Sequence, residues 1–297
     1  MALALLDKRQ ELYKYLRELL EGRGINHKGL NDAGLLALAY NLDYQPLVQN
    51  HTLVPYHRAI LPARHGYMRS VHGQPIYYSP QPGKQVARKE AWFCPECATE
   101  DKASHGLSYW RLLHQLPGIA WCESHERTKL RCVGSATTFG EQPHHVIGRS
   151  PRADSDYQAS PDEWDVIQRF TEIYLGILKS VYPMPREAAL DVIGGNRNNG
   201  MPKLRVQLNQ LARKRFFSDW LSANFPNVVV KGVAEDAQEA FPLSSTSHFA
   251  LALALLFDSS DEALAKWMCS QKEFFASKQD KPGASSYLLS CLLKSEK

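Results

Sequence analysis

The chain carries, over residues 94–125, the stretch CPECATEDKASHGLSYWRLLHQLPGIAWCESH, in which two pairs of metal-binding residue types stand far apart. Cys94 and Cys97 form a Cys-x-x-Cys pair, and after 24 further residues Cys122 and His125 form a Cys-x-x-His pair. Each spacing lets two side chains reach one ion from a single tight turn. Three thiolates and one imidazole form a donor set that suits tetrahedral Zn²⁺, so the stretch predicts a zinc site with these four ligands.

Alternatives to this ligand set stay open on the sequence alone. A thioredoxin-like redox pair would need a strand–helix–strand setting, which the surrounding sequence does not offer. Either His105 or His114 could take the place of His125. Four protein ligands would close the coordination shell, so we expect a structural ion on which a module at residues 91–133 depends to fold. The other cysteines, at 132, 269 and 291, lack partner spacing and are interpreted as small core residues.

Composition places the chain among globular proteins. It has 297 residues, of which 44% are hydrophobic and 22% charged, so it can bury a sizeable core. The longest apolar run, at residues 249–257, is far shorter than the roughly 18–20 residues that span a bilayer. The first residues lack the pattern of a signal peptide. We therefore expect a cytoplasmic protein with no membrane partner.

Apolar residues recur at helical spacing over most of the chain, which predicts a mainly α fold. Apolar spacing predicts helices over residues 7–21, 32–42, 107–115, 160–183, 186–193, 202–217, 246–257, 260–277 and 285–294, and a strand over 74–79. Ser160 and Glu163 have the spacing of a capping box. We expect a mainly α protein with four parts. These are an N-terminal helical and proline-rich extended region (1–90), the zinc module (91–133), a linker whose role is only to connect (134–160), and an all-helical domain (161–297).

Basic side chains are concentrated in two parts of the chain. Residues 51–90 hold six Lys or Arg against one acid, and residues 186–215 hold seven against two, although the whole chain has a formal charge of only +4. Such segregation is typical of polyanion-binding proteins, but a solvated basic face has the same composition. The helices predicted at 186–193 and 202–217 resemble a helix-turn-helix with an unusually long turn.

The second helix of that pair carries residue types that contact phosphates and base edges. The predicted nucleic-acid contacts are Arg197, Lys203, Arg205, Arg213, Lys214 and Arg215.

Residues 94–130 resemble the zinc-binding signature of the TniQ/TnsD family, the target-selection proteins of cut-and-paste transposons. The resemblance rests on CPECATED, on YWRLLHQLPGIAWCESH and on Leu130. Pro242-Leu243, followed by an apolar helix that ends in Leu255-Leu256-Phe257, is similar to the family's C-terminal half. Glu126 stands where the family usually has glycine after the zinc-binding histidine, and residues 1–50 lack the family's usual Glu-Ser-Leu-type opening.

The resemblance implies a non-catalytic adaptor. Members recognise a chromosomal site directly or ride on an RNA-guided CRISPR effector complex, and they recruit the AAA+ ATPase TnsC of the transposon. The expected partners are therefore DNA or a CRISPR effector ribonucleoprotein, together with TnsC. The length of 297 residues favours the kind that associates with a guide complex. A homodimer is left open.

Two other hypotheses use the same residues. One is a stand-alone, sequence-specific DNA-binding protein or regulator that contains zinc. The other is a zinc hydrolase, which would need metal-dependent turnover. The sequence has no Gly-rich phosphate loop, no Gly-x-Ser-x-Gly and no metal-plus-carboxylate nuclease pattern, so we expect no enzyme.

Overall fold

Helices dominate the architecture. A computed structural model of the chain describes residues 9–27, 32–44, 46–47, 55–56, 59–61, 69–71, 74–76, 90–125, 128–135, 141–148, 152–153, 159–180, 184–194, 200–216, 219–225, 228, 243 and 245–279. Within these residues the fold is mainly α, as predicted, with three small sheets of two or three strands. None of the helices in this described part is both long and apolar enough to cross a bilayer.

The two predicted N-terminal helices are present and pack on each other. Helix α1 spans Arg9–Gly22 and helix α2 spans Asp32–Ala39, slightly displaced from the predicted limits. Their contact is formed by apolar side chains spaced four residues apart on each helix, which places them on one face. These buried residues are Leu16 and Leu20 in α1 and Leu35 and Ala39 in α2.

Three short strands follow in the proline-rich region. Strand β1 is Ile60–Leu61, β2 is Arg69–Val71 and β3 is Gln74–Ile76. β2 and β3 form an antiparallel pair, whereas β1 pairs in parallel with Met184–Pro185, far along the chain. The strand predicted over 74–79 is confirmed for its first half, and residues 77–79 lie outside the described residues.

A three-stranded antiparallel sheet supports the predicted zinc module. Its elements in chain order are β4 (Glu90–Phe93), α3 (Pro95–His105), a 3₁₀ turn (Leu113–Gln115), β5 (Arg131–Ser135), α4 (Pro143–Val146) and β6 (Arg152–Ala153). The strand order is β4-β5-β6, and Trp92 lies opposite Cys132 in the β4–β5 register. Cys132 is buried, as expected.

The helix predicted over residues 107–115 is wrong. The helix of this module lies earlier, at Pro95–His105, and only residues 113–115 form a short 3₁₀ turn. Proline in the first turn and Gly106 in the left-handed conformation after the last residue begin and end α3, which matches the known preferences of helix termini. The prediction failed because the sequence of α3 has almost no amphipathic pattern. The leucines of residues 107–115 have the spacing of an amphipathic helix, although that segment is not α-helical.

The range 134–160, predicted only to connect, takes part in the module. Strand β6 pairs with β5, and Val146 of α4 is buried against Phe93 and Trp110. The Trp110 ring nitrogen also donates a hydrogen bond to the Glu141 carbonyl, at 2.8 Å. The connecting role is therefore corrected for these residues. Where the domains divide stays a prediction.

The C-terminal part is helical, as predicted. Its elements are α5 (Pro161–Lys179), β7 (Met184–Pro185), α6 (Arg186–Val192), α7 (Gly200–Arg215), α8 (Asp219–Asn224), α9 (Thr246–Leu256) and α10 (Ser260–Gln279). The capping box at Ser160 and Glu163 is confirmed, with both reciprocal hydrogen bonds present. The helix predicted over 285–294 and Cys291 lie outside the described residues, and Cys269 is exposed rather than in the core.

Helix α9 forms the centre of the helical part. Its residues 249–254 are all buried, and the helix packs chiefly against α5. The stripe of α5 that meets the core has helical spacing and consists of Val166, Ile167, Phe170, Ile173, Tyr174 and Ile177. Helices α6 and α7 pack chiefly on other helices, α6 on α10 and α7 on α9, so the helix-turn-helix stays a prediction.

The loop after the 3₁₀ turn inserts into the helical part. Leu116 and Ile119 are buried in the same apolar cluster as α5 and α9. Between them, Gly118 has φ +87°, and a Cβ atom added there would lie 2.7 Å from a ring carbon of Phe170 and 3.0 Å from one of Phe225. Glycine suits both this backbone conformation and this gap. The loop therefore joins the sheet module to the helical core.

We expect Gly118→Ala to lower the free energy of unfolding by about 2–5 kcal/mol, because left-handed strain costs about 1–2 kcal/mol and overpacking about 1–3 kcal/mol. Gly106→Ala is the matched control, since φ is +74° there but nothing lies within 4 Å of the added Cβ. That variant should lose only the strain contribution of about 1–2 kcal/mol. Denaturant unfolding of the full chain measures both, and equal losses would contradict the close packing at Gly118.

Candidate metal centre

The first pair of candidate ligands lies where β4 meets α3. Cys94 is the residue that precedes the helix, with extended backbone angles, and Cys97 lies in the first helical turn. Pro95 between them suits the start of a helix because its missing N–H has no partner there in any case. This strand-to-helix turn directs both thiols to the same side, and both are buried.

The second pair lies in a tight loop held by main-chain hydrogen bonds. The N–H of Cys122 donates to the Thr128 carbonyl and the N–H of Thr128 donates to the His125 carbonyl, each at 2.9 Å. Trp121 and Lys129 form an isolated antiparallel bridge at the base of the loop. These contacts hold Cys122 and His125 in one loop, with both residues close to the bridge at its base.

The structure brings the four predicted ligands together. Their donor atoms all lie within 4.8 Å of one another, in the part of the chain that the structure describes. Nδ1 of His125 lies 3.2 Å from Sγ of Cys97 and 3.6 Å from Sγ of both Cys94 and Cys122. The sulfurs of Cys97 and Cys122 are 3.4 Å apart. Tetrahedral Zn²⁺ with bonds of about 2.3 Å to sulfur and 2.0 Å to nitrogen would place its ligand atoms about 3.5–3.8 Å apart. The donor set therefore fits zinc.

The three neighbouring thiols shift one another's pKa values. A hydrogen bond from Cys94 lowers the pKa of Cys122 to about 2, and the same bond together with burial raises the pKa of Cys94. Burial raises the pKa of Cys97 to about 12. These shifts favour ionisation of Cys122 over ionisation of Cys94 and Cys97. A bound divalent cation favours ionisation of all three, since its charge offsets theirs.

The alternative histidines are placed differently. His114 is buried beside the cluster and donates a hydrogen bond to the Cys122 sulfur, which contributes to the lowered pKa of that thiol. His105 is exposed in the last turn of α3. Neither shares the group of close donor atoms that includes His125. The ligand set predicted from spacing is thus the one the geometry favours.

A buried glutamine supports the strand that leads into the site. Gln115 accepts a hydrogen bond from the Trp92 N–H at 3.0 Å and donates to the Trp92 carbonyl at 2.6 Å. It also donates to the Arg111 carbonyl at 3.1 Å. Its amide therefore takes the place of a neighbouring strand along the edge of β4 with which no described strand pairs, two residues before Cys94.

The predicted nucleic-acid residues lie mostly on one helix. Lys203, Arg213, Lys214 and Arg215 are exposed on α7, Arg205 is half-buried there, and Arg197 lies outside the described residues. The opposite side of α7 is buried at every fourth position, in a stripe formed by Leu204, Leu208, Ala212 and Phe216. Leu211 lies beside this stripe and is only half-buried. Helix α7 thus has an exposed basic face opposite its buried stripe, and nucleic-acid binding by this face stays a prediction.

Two residues that matter to the site escaped the sequence analysis. Glu100 contacts His125, with 2.9 Å between Oε1 and Nε2, and Gln115 holds β4. Pro95 and Gly106 mark the limits of α3, and from them the position of Glu100 on a helix could have been deduced. The role of Gln115 depends on a strand edge that no local pattern indicates.

Fold and site together define a mainly α-helical protein with a compact Cys₃His cluster able to hold a metal ion. The sequence model of the TniQ family matches residues 6–128, a range that includes all four candidate ligands. The match supports a TniQ-family domain in this part of the chain. No curated protein and no solved structure matches the chain.

We expect Gln115→Leu to lower the free energy of unfolding by about 2–4 kcal/mol, because it leaves the Trp92 N–H and carbonyl without their partner in a buried setting. Gln168→Leu is the control, since Gln168 is exposed on α5 and surface changes cost about 0.5 kcal/mol or less. Thermal or denaturant unfolding compares the two. A Gln115→Leu loss no larger than that of the control would refute the edge-strand role.

Proposed function

We propose that Cys94, Cys97, Cys122 and His125 bind one structural Zn²⁺. Support comes from the donor types, from the separations of 3.2–3.6 Å between Nδ1 and the three sulfurs, and from the main-chain hydrogen bonds that hold the second loop. Four protein ligands leave no open coordination position for substrate or water. The ion would therefore hold the module together and supply no chemistry.

The purified full chain should contain about one zinc ion, measured by elemental analysis. Cys97→Ser should lose most of it and unfold at a lower temperature, because a Cys₃His site loses one of its thiolates. Cys269→Ser is the matched control, since that thiol is exposed on α10, and its zinc content should equal that of the unaltered chain. Zinc-free folded protein, or full zinc in Cys97→Ser, would refute the proposal.

We also propose that the protein is a non-catalytic adaptor in target-site selection for DNA transposition. The observation that carries this proposal is the TniQ match over residues 6–128, which spans the zinc ligands. In this role the chain binds a nucleic acid or an RNA-guided CRISPR effector complex and recruits the AAA+ ATPase TnsC. The transposase then acts beside the chosen site.

The basic face of α7 is the proposed contact with nucleic acid. Lys203, Arg213, Lys214 and Arg215 are exposed, and the buried stripe on the other side of the helix holds it in place. Arg213, Lys214 and Arg215 also occupy the last helical turn, where the helix dipole stabilises positive charge. A set of cations fixed on a rigid helix favours phosphate contacts.

Replacing Arg213 and Lys214 by Ala should weaken binding to duplex DNA and reduce the slope of log K against log salt by about 0.7–0.9 for each phosphate that the variant no longer neutralises. Lys266→Ala with Lys272→Ala is the charge-matched control, because both lysines are exposed on α10. Fluorescence anisotropy over a salt series measures the slopes. An identical slope change in the two double variants would show that only net charge matters.

A stand-alone DNA-binding regulator is the second candidate, because the same basic face would serve it. Gel shifts with the purified chain separate the two functions when TnsC is added. The adaptor should form a ternary complex with TnsC on DNA or on a guide complex. Tight, sequence-specific DNA binding without any interaction with TnsC would favour the regulator.

A further inference from the structure

A carboxylate touches the candidate metal ligand His125 from the side opposite the thiols. Oε1 of Glu100 lies 2.9 Å from Nε2 of His125, while Nδ1 of the same ring faces the three sulfurs. Glu100 lies on α3, one turn after Cys97. Nε2 of the ring therefore contacts a carboxylate, whereas Nδ1 faces the three thiols.

This contact decides which nitrogen can bind a metal. A neutral imidazole carries its proton on one nitrogen and offers the lone pair of the other, and a carboxylate acceptor stabilises the proton on the nitrogen that faces it. With the proton on Nε2, the lone pair of Nδ1 points to the thiol cluster. The carboxylate also resists rotation of the ring about the bond that joins it to Cβ.

A second acid on the same face of α3 braces the loop itself. Glu96, four residues before Glu100, accepts a hydrogen bond from the Thr128 hydroxyl at 2.7 Å. Its other carboxylate oxygen is 4.0 Å from Nε2 of His125, beyond hydrogen-bond distance. Glu96 therefore holds the loop through Thr128, whereas Glu100 contacts the imidazole ring itself.

We propose that Glu100 is a positioning residue that fixes His125 as an Nδ1 metal ligand with its proton on Nε2. The inference rests on the proposed zinc centre and deepens it. Partners of this kind around metal-binding histidines typically contribute about 10–100-fold to metal affinity. Glu100 is exposed on the helix surface, so its replacement leaves the packing of α3 intact.

The experiment compares zinc affinity, by competition with a chromophoric chelator, among full-length variants. Glu100→Ala should bind zinc about 10–100-fold more weakly than the unaltered chain. Glu100→Gln should fall between the two, because its amide oxygen still accepts from Nε2. Glu123→Ala is the charge-matched control, since Glu123 is an exposed acid of the second loop, and its affinity should not change.

A second measurement reports the ring directly. In the zinc-loaded, ¹⁵N-histidine-labelled chain, long-range ¹H–¹⁵N spectra should show His125 with a metal-bound Nδ1 and a protonated Nε2. A metal-bound Nε2, or equal affinities for Glu100→Ala and Glu123→Ala, would overturn the role of Glu100 while leaving the zinc centre in place. An unaltered chain that binds no zinc would overturn the centre itself.

Discussion

The convergence of four donor atoms from two separate turns is the constraint on which the rest of the module depends. One turn follows β4 and the other lies 24 residues later, and the chain between them must leave the cluster and return to it. This intervening segment contains most of helix α3, the 3₁₀ turn and the Gly118 loop. Strand β4 precedes the first ligand pair and β5 follows the second, and the two strands pair in one sheet. A single small cluster thus fixes the path of the whole segment.

The segment between the two ligand pairs also attaches the module to the helices. Leu116 and Ile119 share a core with α5 and α9, and Gly118 lets Phe170 and Phe225 approach the backbone. Trp121, next to Cys122, packs edge-to-face on Trp164 of α5 with ring centroids 5.0 Å apart. Residues of one short sequence signature therefore divide between two tasks, since some converge on the donor cluster and others bind the module to the helical core.

Sequence patterns predicted the helical domain and the ligand set because both depend on local spacing. The stripe of α5 and the capping box at Ser160 follow from periodicity and hydrogen-bonding rules, and the two ligand pairs follow from turn geometry. The patterns failed at α3, where termini rather than an apolar stripe define the helix, and at residues 141–153, whose role depends on partners distant in sequence. Glu100 and Gln115 escaped for the same reason, since each acts on a residue more than 20 positions away.

The amide of Gln115 has a consequence for the behaviour of the protein at high concentration. Among the described strands, β4 is the outer one of its sheet. An outer strand with free N–H and carbonyl groups is a template on which another polypeptide can lay a further strand. At Trp92 both groups are already bound by a side chain of the same molecule. The sheet is thereby sealed at this position against growth from one molecule to the next, without a charged residue or a proline in the middle of the strand.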